Sequence, residues 1–102
     1  MKILRIRDTL ERTGLSRTPL YEGVASGLFT RPIKVGGSRA AGWPEHEVAA
    51  VVSARVAGAP DVEVRALVER LHDERRLRYL KTVERHMVPA SSGSVKTDGV
   101  LA

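Results

Sequence analysis

Two glycines, Gly14 and Gly27, bracket a segment that has room for one short helix, and the chemistry around them fixes how that helix starts and stops. Gly14 can take the left-handed conformation that ends a preceding helix. Leu15 then supplies an apolar plug for the turn, and Ser16 is a strong N-cap for the next helix. Pro19 falls at the third helical position, where its missing N–H costs nothing. Leu20 and Val24, one turn apart, face inward, and Gly27 ends the helix. The spacing therefore predicts a helix over 17–26 entered through a tight turn, the pattern of a helix-turn-helix.

The flanking segments extend this unit. Ile3, Leu4 and Ile6 suit a short leading strand, and Asp8 with Glu11 three residues later resembles a capping box. A first helix to about Thr13 then buries Leu10. After Gly27 the strand formers Phe29, Ile33 and Val35 precede Gly36-Gly37, a hairpin signal. Ser38 to Trp43 is the return strand, with Lys34 and Arg39 close to the tip and Trp43 in the core. Pro44 and Glu45 open a third helix, whose apolar stripe is Val48, Val51, Val52 and Val56. Gly58-Ala59-Pro60 ends it. The expectation is a mainly α fold, a winged helix-turn-helix in residues 1–58 with a C-terminal helical extension.

That extension spans 61–88 without an internal Gly or Pro, and Asp61 can cap it. Val64, Leu67, Val68 and Leu71 form one stripe. Leu77, Leu80, Val83 and Met87 form a second, nearly opposite one after the charged run His72–Arg76. Either the helix breaks at that run, or one helix offers two faces, the first to the core and the second to self-association. Residues 89–102 have the composition of a flexible tail.

Charge points to a partner class. The chain of 102 residues carries a net charge of +5. Residues 1–55 hold nine Lys/Arg against five Asp/Glu, and the rest hold eight against seven. The excess thus sits with the helix-turn-helix, as a polyanion partner requires. Arg17 can donate two bonds to guanine O6 and N7, or one to a phosphate. Thr18 fits a phosphate or a thymine methyl. Ser16 is a cap first and a phosphate contact second. Tyr21 fits a phosphate through its hydroxyl or the core edge through its ring. Lys34 and Arg39 can reach phosphates, and Arg39 the minor groove.

Other chemistries lack their residues. Without cysteine there is no disulfide framework or thiolate zinc site. His46-Glu47 is followed by Ala50 where a zinc protease needs a second His, and His46, His72 and His86 are scattered. No Gly-Lys-Ser/Thr follows Gly36-Gly37 to make a phosphate loop. The expectation is no enzyme, no catalytic residue, no metal and no cofactor. No apolar run approaches the ~20 residues that span a membrane, and the N-terminus lacks a signal-peptide core. These point to a cytoplasmic, nucleoid-associated protein without membrane contact.

Several pieces, taken in order, resemble the AlpA family of phage-type regulators, within the MerR-like winged-helix group that includes excisionases. They are Glu11 to Thr18, Leu20-Tyr21, Gly27 to Phe29, Pro32 to Gly37, Arg39, Gly42-Trp43 and Glu47-Val48. The family usually has Ser or Thr where this chain has Pro19, and a basic residue where it has Glu22. Glu22 can accept from a cytosine amino group or face solvent. The resemblance implies a non-enzymatic protein that binds double-stranded DNA, acting in transcription control or as a recombination directionality factor beside an integrase. It places the reading helix at Ser16–Ser26 and the wing at Ile33–Trp43. A homo-oligomer on DNA is a further expectation, drawn from the second stripe of 61–88. The alternative function is a protein-binding adaptor that uses 61–88 to recruit an integrase or another partner.

Overall fold

The computed structural model describes residues 1–34, 36 and 40–91, with side chains through His86. Its elements in order are β1 (Ile3–Arg5), α1 (Ile6–Thr13), α2 (Arg17–Ser26), β2 (Ile33–Lys34), β3 (Ala41–Pro44), α3 (Glu45–Val56) and α4 (Asp61–Ser91). The strands form an antiparallel sheet in the order β1-β3-β2. Leu4 pairs with Trp43, and Lys34 with Ala41. A mainly helical chain with a small antiparallel sheet is compatible with a winged helix.

Two compact units divide the chain, Met1–His72 and the residues from Asp73 onward. The first has a core of Leu4, Leu20, Phe29, Trp43, Val48, Val51, Val64, Val68 and Leu71. Three of these nine come from α4, so the first stripe of the extension is part of this core. The boundary expected after residue 58 therefore falls inside the first unit. Beyond Asp73, α4 exposes Leu77, Tyr79 and Leu80. The helix does not break at the charged run, because α4 is continuous from Asp61 to Ser91.

Local chemistry explains most element ends. Gly14 has φ 74° and its N–H donates to the Leu10 carbonyl at 2.8 Å, the left-handed stop that a side chain would strain. Gly27 closes α2 in the same way with φ 83°. Ser16 occupies the N-cap with extended backbone, but its hydroxyl makes no capping bond.

Five expectations are corrected. The capping box at Asp8 is absent, because α1 starts at Ile6, where Ile6 and Leu10 pack on the core. Asp8 instead faces the positive end of the helix dipole. Leu15 is no plug, being exposed. Thr13 holds the turn instead: its Oγ1 accepts from the Leu15 N–H at 3.2 Å and donates to the Thr9 carbonyl at 2.9 Å. Val56 is 83% exposed, since at 100° per residue it lies roughly 80° around α3 from Val48. Phe29 is in the core but in no strand. Asp61 is the first residue of α4 rather than its cap, since the Pro60 carbonyl accepts from the Val64 N–H. The Asp61 carboxylate accepts from Arg55 Nη1 at 3.0 Å.

The return strand is Ala41–Pro44. Val35, Gly37, Ser38 and Arg39 lie outside the described residues, as do the Met87 side chain and residues 92–102 of the expected tail. The start of that tail, 89–91, belongs to α4.

Candidate nucleic-acid interface

The helix expected to read DNA is α2, and its two faces differ in kind. Leu20 is fully buried, Val24 packs on the core, and a Cβ at Gly23 would meet the Phe29 Cβ at 3.5 Å. The opposite face carries Arg17, Thr18, Tyr21, Glu22 and Ala25, which line one shallow concavity. These positions recur at i, i+1, i+4, i+5 and i+8, the spacing of one helix face.

Trp43 holds this face in place from below. It is fully buried, and its Nε1–H donates to the Thr30 carbonyl at 2.8 Å. The Tyr21 ring lies 6.0 Å from the Trp43 ring at 58°, and Phe29 lies 6.1 Å away at 57°. Tilted pairs of this kind contribute ~0.5–1.5 kcal/mol beyond their buried area. Tyr21 therefore combines the two roles left open for it. Its ring rests on Trp43, while two fifths of the residue stays exposed.

The C-terminal end of α2 is braced by α4. Arg65 Nε donates to the Ser26 carbonyl at 3.0 Å, and the Arg65 stem packs 3.7 Å from where a Gly27 Cβ would stand. A guanidinium at the negative end of a helix satisfies a carbonyl that has no intrahelical partner. On the adjoining chain, His72 Nε2 accepts from the Arg31 N–H at 3.0 Å. At the other end of the unit, Arg12 Nη1 bonds Glu45 Oε2 at 3.0 Å, tying α1 to the start of α3.

Among the residues singled out in the sequence, Ser16, Arg17, Thr18 and Tyr21 are all exposed on or beside the α2 face. Lys34 is exposed on β2 and does not line that concavity. Arg39 lies outside the described residues. Glu22 shares the face with Arg17, so an acid belongs to this surface. Sequence reasoning missed the Arg65 brace, which joins residues 39 positions apart. It also missed the complete burial of Glu47 in the first turn of α3.

The described residues hold no cluster of three or more His, Cys, Asp or Glu able to bind a metal. No helix among them is long and apolar enough to cross a membrane.

Comparison with known proteins supplies the family. Residues 2–56 match the family described as Prophage CP4-57 regulatory protein (AlpA). The chain belongs to this family. The match covers β1 through α3 and so includes the α2 face, the sheet and Trp43. The chain is also similar to ORF88, an uncharacterized protein of Enterobacteria phage P4, with 35% identity over 57 residues. That similarity takes in 56% of this chain and 64% of the phage P4 protein, so the chain spans less than two thirds of that relative's length. No solved structure matches. As an AlpA-family phage-type regulator, the protein sits among regulatory rather than catalytic proteins.

Proposed function

We propose that this AlpA-family protein binds double-stranded DNA sequence-specifically, as a winged helix-turn-helix with α2 as its reading helix. The observation that carries this reading is the exposed α2 face of Arg17, Thr18 and Tyr21, backed by the buried Trp43. A rigid helix with donors on its outer face suits the major groove, where each base pair shows a distinct donor and acceptor pattern. Arg17 reads guanine, while Ser16, Thr18 and the Tyr21 hydroxyl hold phosphates. Lys34 of β2, and Arg39 in the sequence that links β2 to β3, add phosphate or minor-groove contacts. Glu22 accepts from a cytosine amino group or faces solvent.

The biological role is inferred from the family. The protein regulates a phage or mobile element, as a recombination directionality factor beside an integrase, as a transcriptional regulator, or as both. It works in the cytoplasm on nucleoid DNA and needs no cofactor.

The test is selection from a random duplex library, and then titration of the recovered site at several salt concentrations. With about four to six phosphate contacts per protomer, log K falls against log[salt] with a slope near −4 to −5. Failure to enrich any sequence, or retention that ignores salt, contradicts the proposal. Footprinting near an integrase gene, with and without integrase, then separates excision from transcription control.

One observation favours a second reading. Leu77 and Leu80 are 57% and 49% exposed on α4, which suits a protein contact. In that reading 61–88 pairs with a second copy on DNA or recruits an integrase. A sedimentation profile that stays monomeric with and without DNA removes the self-association.

A further inference from the structure

Residues 73–86 of α4 carry most of their bases on one side of the helix. At 100° per residue, Lys81, Arg85, Thr82 and Arg75 fall within about 60° of Arg78. His86 and Tyr79 border that face within about 100°. Glu74 is the only acid among them. Asp73 and Glu84 fall on the other half with Leu77, Leu80 and Val83, and Arg76 is the one base there. Arg78, Lys81 and Arg85 are exposed, and none has an ion-pair partner among the described residues.

Glu74 stands four residues before Arg78 and Glu84 three after Lys81, but neither pair closes into an ion pair among the described residues, and Arg85 has no acid one turn away. Here Lys81 and Arg85 stand four residues apart, and Arg78 and Lys81 stand three apart. Like charges at those spacings weaken a helix, and a polyanion relieves them. Arg78 to Arg85 spans roughly 10 Å of axis at 1.5 Å per residue. Duplex DNA carries a negative charge about every 1.7 Å of its axis, so three such side chains can meet separate phosphates. The guanidinium forks of Arg78 and Arg85 suit phosphate oxygens.

We propose that the Arg78, Lys81 and Arg85 face of α4 is a second DNA contact, made to phosphates without reading sequence. This rests on the reading of the protein as a DNA binder and adds a separate site to it. The experiment compares the full chain with the R78Q/K81Q/R85Q variant on two duplexes, the selected site and a mixed sequence, over a range of salt. R78K/R85K serves as the control that keeps charge and helix.

The triple variant is expected to show a salt slope shallower by about 2–3 on both duplexes, with an unchanged affinity ratio between them. R78K/R85K keeps the wild-type slope. A wild-type slope in the triple variant overturns this inference alone. A loss of slope in R78K/R85K as large as in the triple variant also overturns it, because charge is then not the cause. No salt-dependent binding by the wild-type chain overturns the DNA-binding reading and this inference with it. If the triple variant keeps its DNA slope but loses flotation with phosphatidylserine vesicles, the face serves a lipid surface and the proposal is wrong.

Discussion

Trp43 is the residue on which the first unit turns. Its indole N–H reaches the Thr30 carbonyl, and its ring is flanked by Tyr21 and Phe29. Trp43→Phe keeps much of the apolar surface but removes the donor and leaves a gap. We expect a loss of roughly 2–3 kcal/mol in urea unfolding, from the unpaired carbonyl and the lost packing. Thr30 offers the converse test. Its Oγ1 is buried with no hydrogen-bond partner among the described residues. Thr30→Val replaces that hydroxyl with a methyl of similar shape. It is expected to be neutral or to stabilise by up to about 1 kcal/mol, since the desolvated hydroxyl gains nothing in return. A clear loss would mean that the hydroxyl is satisfied. Trp43 was legible in sequence as a core residue. Neither its bond to Thr30 nor the burial of Glu47 was, because both depend on how distant segments close over them.

At the scale of elements, the bounds of α2 were legible, because Pro19 and Gly27 each act within one turn of their own position, although Ser16 stands at the N-cap without the capping bond its hydroxyl was expected to make. The start of α1 was misjudged because the local cap signal at Asp8 lost to the burial of Ile6 and Leu10. The Leu15 plug failed for a related reason, since the Thr13 hydroxyl already holds that turn. How α2 is held from outside was not legible, because Arg65 acts from another helix. Arg65→Met keeps the apolar stem and removes the guanidinium. It is expected to cost about 0.5–1 kcal/mol and to raise amide exchange at the end of α2, read by hydrogen exchange. Unchanged exchange there would show that the brace is idle. On the hairpin, Lys34→Ala is expected to weaken binding to the selected site and to mixed-sequence DNA by the same factor, as phosphate contacts do.

For the molecule as a whole, the consequential difference between sequence and structure concerns α4. Its first stripe was legible as a buried face. That this face completes the core of the N-terminal unit was not, because the stripe alone does not say which partner it covers. A chain ending at residue 58 lacks Val64, Val68 and Leu71, three buried members of that core. At ~1.5–3 kcal/mol for each buried aliphatic side chain, the loss approaches the whole stability of a small domain. The chain cut at 58 is expected to show no cooperative melt, whereas a chain cut after His72 melts cooperatively. Equal melting by both would place the core entirely within residues 1–58.

The proposed function turns on whether the exposed face of α2 reads bases. Its most direct test is the ratio of affinities for the selected site and a mixed-sequence duplex, measured at one salt concentration for the wild-type protein and for Arg17→Ala. A bidentate arginine–guanine contact gives ~1–3 kcal/mol of discrimination, so the ratio is expected to fall by about 5- to 150-fold. Binding to the mixed sequence should change far less. An unchanged ratio in Arg17→Ala, with wild-type binding to both duplexes, would contradict the account.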